Sequence, residues 1–205
     1  MLTVGGDFRF YKRIHRDLIF ASRFAAGSSF GKSKLLYYLG GVDNWYVLNQ
    51  NKMQFDYSVD INQKENYVYQ AVATNMRGFV QNARNGTNFF VMNNEIRFPI
   101  IKYFANRPLN SSLLNNFQIV GFADAGSAWS GLTPKDPSNA YNTETVKNGP
   151  VTVIIDKNRS PVVFGYGFGV RSKVFGYFVR LDWAWGIDNN IILPRIFYFS
   201  LNLDF

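Results

Sequence analysis

The chain has 205 residues and a formal charge of +8, from 22 Lys and Arg against 14 Asp and Glu, with no cysteine. The missing cysteine excludes disulfides, thiolate metal sites and cysteine nucleophiles together, and an aromatic content of 18% excludes a disordered, solvating segment. The basic residues sit singly along the sequence, as at Arg9, Arg23, Arg97, Arg171 and Arg180, so no nucleic-acid-binding stripe is evident and no nucleic-acid partner is expected.

In chain order, two-residue alternation predicts strands over 2–12, 17–28, 89–101, 116–129, 161–172, 176–186 and 196–205. The last three show it best. Val162, Phe164, Tyr166, Phe168 and Val170 alternate with Val163, Gly165, Gly167, Gly169 and Arg171. Tyr177, Val179, Leu181, Trp183, Trp185 and Ile187 alternate with Phe178, Arg180, Asp182, Ala184 and Gly186. Phe197, Phe199, Leu201, Leu203 and Phe205 alternate with Tyr198, Ser200, Asn202 and Asp204. Each apolar face is rich in aromatics, and each opposite face is polar, charged or glycine. No apolar run reaches the roughly 18 residues of a membrane-spanning helix, whereas most of these strands reach the roughly 9–11 residues that cross a tilted membrane barrel.

Alternation alone does not say which face is inside. Tyr177 and Trp185, near the ends of one apolar face, resemble the aromatic girdles of an outer-membrane barrel. The alternative is a soluble antiparallel barrel or sandwich. Connections alternate between short (13–16, 102–115, 173–175) and long (29–88, 130–160, 187–195), as in a barrel whose short turns face the periplasm. That rhythm places the C-terminus on the periplasmic side. Residues 130–160 have loop chemistry, with Gly131, Pro134, Pro137 and Asn148-Gly149-Pro150. Asn85-Gly86-Thr87 also reads as a turn. The fold class is therefore all-β, an antiparallel transmembrane barrel segment. No signal-peptide-like start is present, as expected of a mature protein or of a chain that begins inside a larger one.

The segment 29–88 exceeds the roughly 12–15 residues beyond which a loop is usually functional. It carries Leu39-Gly40-Gly41 and then Arg77-Gly78-Phe79. The following strands carry Glu95, in Asn94-Glu95-Ile96-Arg97-Phe98-Pro99, and Asp124, in Phe122-Ala123-Asp124-Ala125-Gly126. An arginine on a loop inside a barrel can grip wall carboxylates bidentately, a glycine beside it permits close backbone approach, and a phenylalanine supplies packing. The bland alternative is a solvated loop arginine and a wall carboxylate facing water.

In their order, these residues resemble the BamA-type superfamily of outer-membrane assembly and translocation proteins, the bacterial surface antigen family. The resemblance covers essentially the whole chain. It implies about seven strands, the tenth to the sixteenth, of a 16-stranded barrel. Residues 1–205 would be its C-terminal segment, and 29–88 a lumen-entering loop. It implies that Arg77, Gly78 and Phe79 latch the loop to Asp124 and Glu95, and that Phe205, with Leu203 and Phe199 on the same face, forms a C-terminal assembly signal. The length of 42–75 departs from simpler members and is similar to longer, Bacteroidota-like ones. The implied function is insertion of outer-membrane proteins, or export of protein substrate, at the cell outer membrane. Implied partners are outer-membrane lipid, unfolded outer-membrane or exported proteins, and periplasmic or lipoprotein partners recruited by domains outside this chain. The chain is thus expected to be a fragment or a truncated product.

Two other classes compete. A passive porin-like channel or surface adhesin would lack the Arg77–Asp124 latch. A hydrolase built in a barrel would need a nucleophile and a base, and the lone histidine, His15, lies near a short turn. No enzyme activity, metal or cofactor is expected. Gly165, Gly167 and Gly169 lack the spacing and the helix of a dinucleotide fingerprint and read as permitting curvature or close backbone approach.

Overall fold

The computed structural model of the chain describes residues 1–46, 54–62, 65–105, 110–136, 139, 142–157 and 159–203. Its strands are β1 (Leu2–His15), β2 (Leu18–Phe30), β3 (Lys34–Leu39), β4 (Tyr67–Val72), β5 (Arg84–Gly86), β6 (Asn88–Phe98), β7 (Gln118–Trp129), β8 (Thr143–Asn148), β9 (Val151–Asp156), β10 (Val163–Val174), β11 (Tyr177–Asp188), β12 (Ile191–Ile192) and β13 (Ile196–Leu203). Two short helices, α1 (Ile100–Phe104) and α2 (Ser112–Asn115), lie between β6 and β7.

The wall is one antiparallel sheet in the order β1-β2-β6-β7-β10-β11, with β12 and β13 both paired to β11. Its seven long strands are those the alternation predicts. Turn chemistry sets their register. Phe175 and Gly176 have φ of 50° and 88°, and Val174 faces Tyr177. Asn189 and Asn190 have φ of 49° and 63°, and Asp188 faces Ile191. A two-residue hairpin with both central residues at positive φ matches the twist of the strands it joins. Pro99 ends β6 before the predicted residue 101, because proline supplies no ladder donor.

The outer face is apolar and bare. Phe164, Tyr166 and Phe168 are exposed, and Tyr166 and Phe168 stack on Trp185 and Trp183 at 5.9 and 5.6 Å. The core sits on the opposite face. There Leu39, Met76, Phe79 and Ala83 of the 29–88 segment pack against Ala25, Phe89, Val91, Ala128 and Val163 of the wall. The inner wall is thus more apolar toward the long-loop end than the polar-or-glycine description of its last strands suggests.

The long connections hold structure that their loop chemistry hides. Within 29–88, β3 pairs in parallel with β4 and antiparallel with β5. Asn85-Gly86, read above as a turn, belongs to β5. Gly86 lies where any Cβ would collide with the Trp129 backbone, so the glycine serves close approach rather than a turn. Within 130–160, β8 and β9 form a hairpin about Gly149, which has φ of 59°. The β-branched run Val151-Thr152-Val153-Ile154-Ile155 carries that hairpin, and the surrounding prolines and glycines mask it. The 102–115 connection, read as a short turn, holds most of α1 and all of α2. Beyond its pairing with β11, β13 has a second backbone neighbour: the Tyr46 N–H donates to the Phe199 carbonyl at 2.8 Å, and Trp45 bridges Ser200.

Candidate functional site: an arginine latch on the inner wall

β6 and β7 run antiparallel with Asn93 opposite Asp124 and Glu95 opposite Phe122, so the two carboxylates sit on adjacent strands and the same face. Arg77 reaches them from the loop. Its Nε and Nη2 donate to Asp124 Oδ2 and Oδ1, each at 2.7 Å. Its Nη1 donates to Glu95 Oε1 at 2.7 Å, and its backbone N–H reaches Asp124 Oδ2 at 3.3 Å. The guanidinium carbon lies 3.7 Å from the centre of the Phe122 ring. Arg77 is 1% exposed and Asp124 2%. In so dry a place an unpaired charge is costly, and the fork geometry of arginine satisfies both carboxylates at once.

Gly78 and Phe79 complete the attachment. Gly78, at φ of 91°, lies against the backbone of Trp185 and Gly186, where a side chain has no room. The Gly165 Cα hydrogens face the Arg77 carbonyl closely enough that a Cβ there would strike it. Phe79 is buried in the cluster between loop and wall. Four strands, β6, β7, β10 and β11, therefore meet the three consecutive loop residues.

Two further residues of the attachment went unsingled in the sequence. Tyr198 of β13, fully buried, accepts from the Gly78 N–H at 2.9 Å and donates to the Phe79 carbonyl at 2.7 Å. Its place on the polar face of β13 was legible, but its partners were not. Arg84 of β5, also fully buried, bonds both oxygens of Asp188, at 2.5 and 3.1 Å, and the Ser160 carbonyl at 2.8 Å. It ties the loop to the end of β11 and to the segment before β10.

Glu95 serves more than the latch. It also receives Arg97 at 2.9 Å and Arg171 at 2.7 Å. The basic residues that sit singly in sequence converge in space: Arg9, Arg23, Arg97, Arg171 and Arg180 line one cavity with Arg77. The reading of dispersed charge holds along the chain and fails on the inner wall, because alternate residues of neighbouring strands face the same side.

The C-terminal residues stand apart from this cluster. Phe199 lies on the outer face with its ring 6.2 Å from that of Tyr46, the Leu203 backbone faces Tyr177, and Phe205 lies outside the described residues. His15 Nδ1 is 2.9 Å from the Tyr103 hydroxyl. Among the described residues no group of three or more metal-binding side chains comes together.

Comparison with curated proteins returns no match. The model of the Omp85 superfamily domain matches residues 1–205, and the chain belongs to the Omp85 superfamily, a family of the outer membrane.

Proposed function

We propose that the chain is the C-terminal barrel segment of a BamA-type, Bacteroidota-like member that inserts outer-membrane proteins into the membrane or moves polypeptide across it. The observation that carries the reading is the buried latch: a loop crosses the inner wall and is held there by Arg77 on Asp124 and Glu95. A barrel that only passes solutes has no need of a charged fork at the root of an in-folded loop. A mobile plug that must keep one register while substrate is handled does. On this reading the substrates are unfolded outer-membrane or exported proteins, other partners bind through domains outside this chain, and Phe205 with Leu203 and Phe199 is the targeting end of the last strand. No covalent step is called for, so the protein is read as a non-enzyme that needs no cofactor.

The test is Arg77→Ala in the protein as it occurs in the cell, read by assembly or export of its substrates. Removing one partner of a buried ion pair typically costs about 3–5 kcal/mol, and here the loss falls on loop docking. Substrate handling should drop while heat-modifiable migration of the barrel persists. Arg77→Lys should restore only part of it, since lysine lacks the fork. Full function in Arg77→Ala, together with a double-mutant cycle showing no coupling between Arg77 and Asp124, would sink the reading.

A further inference from the structure

Around the latch, Glu95 is shared by three guanidiniums. Arg77 Nη1 and Arg171 Nη2 both donate to its Oε1, and Arg97 Nε and Arg171 Nη1 both donate to its Oε2. Arg180 stands beside them and bonds Asp182 at 3.1 Å. Arg77, Arg97, Arg171 and Arg180 thus face Glu95, Asp124 and Asp182, which leaves one cation in excess. Across the same cavity Arg9 and Arg23 share the single carboxylate of Asp7. Asp43, exposed at the cavity lining, offsets one of these two surplus charges. Further toward the short-turn end, Lys173 lies on the same face of β10 as Arg171. Arg171 and Arg180 occupy directly paired positions on adjacent strands, so two like charges stand side by side at the cavity.

We infer that this cavity, about 260 Å³ and lined by Arg171, Arg180, Arg97, Arg23 and Arg9 beside Arg77, is a binding site for a tetrahedral oxyanion of the phosphate class. A tetrahedral anion offers acceptors in several directions at once. It supplies a further negative centre for Arg97 and Arg171, which share Glu95 with Arg77. The volume admits such an ion with a few waters and excludes a folded chain. The phosphate can be free in solution or carried on a small solute that enters the inner side of the wall. The site is independent of the assembly reading, because it rests on wall arginines whether or not the protein handles polypeptide.

The test is calorimetric titration of the whole protein in detergent with inorganic phosphate, with chloride held at matched ionic strength. Glycerol phosphate in a second arm separates a free ion from an esterified one. Saturable binding at one site is expected, with chloride failing to compete at equal concentration. Arg180→Gln should weaken it at least tenfold while Arg77 and its carboxylates stay untouched. If Arg180→Gln loses heat-modifiable migration, Arg180→Lys decides: it keeps the charge, lacks the guanidinium fork, and should bind several-fold more weakly. No saturable heat with folded protein, or unchanged affinity in the folded Arg180 variant, overturns the inference.

Discussion

At the scale of single residues, the latch is a chain of dependencies rather than one ion pair. Arg77 can lie flat between Asp124 and Phe122 only because Gly78 turns the chain at positive φ and Tyr198 holds the turn from the other side. The Tyr198 hydroxyl is bonded twice in a buried place, so Tyr198→Phe leaves the Gly78 N–H and the Phe79 carbonyl without that partner. Leaving a buried polar group unpaired costs about 1–3 kcal/mol. The expected result is a loop more open to protease near residue 78, with the ring packing against Trp45 retained and the barrel still folded. Equal protease resistance in Tyr198→Phe and the parent protein would show that the hydroxyl is not part of the attachment.

At the scale of elements, β10 and β11 are built for different tasks on their two faces. Outward, aromatic side chains stand in pairs across the strands. Inward, Gly165 faces Gly186, and both lie against the loop backbone at Arg77 and Gly78. Gly165→Val would drive a branched side chain into the Arg77 carbonyl. The strand itself tolerates valine well. The substitution should therefore displace the loop and weaken substrate handling to about the level of Arg77→Ala, while assembly of the barrel into the membrane is preserved. Native hydrogen-exchange protection over residues 76–79 in Gly165→Val would contradict this account. Arg84 adds a second fixed point seven positions on, so displacement at Arg77 should not free the loop at its rim.

At the scale of the whole molecule, the sheet has its apolar core where its own loop covers it and bare aromatic rows where none of the described residues does. That is the economy of a wall between lipid and a filled lumen, not of a soluble sandwich, in which the exposed face would be wet. Phe168, half exposed on the outer face, is the sharpest probe. Phe168→Arg near the mid-membrane should destabilise the folded barrel by about 2–4 kcal/mol in a denaturant titration in lipid vesicles. A loss well under 1 kcal/mol would place this face in water.

The sequence by itself determined the seven long strands, the two faces of each and the identity of the latch residues, because two-residue alternation and a loop motif are local signals that survive without a partner. Arg77, Glu95 and Asp124 could be named because their motifs, in their order, resemble those of a known family. Tertiary structure alone decided the rest. Arg84 and Tyr198 gain their roles from residues 104 and 120 positions away in the chain, and no local pattern reports such a pairing. The hairpin β8–β9 and strand β5 were hidden because Gly and Asn mark turns in sequence, whereas Gly86 is there to let two backbones meet. The arginine-lined cavity was invisible for the opposite reason: each arginine looks solitary along the chain, and only the register of six neighbouring strands brings them to one side.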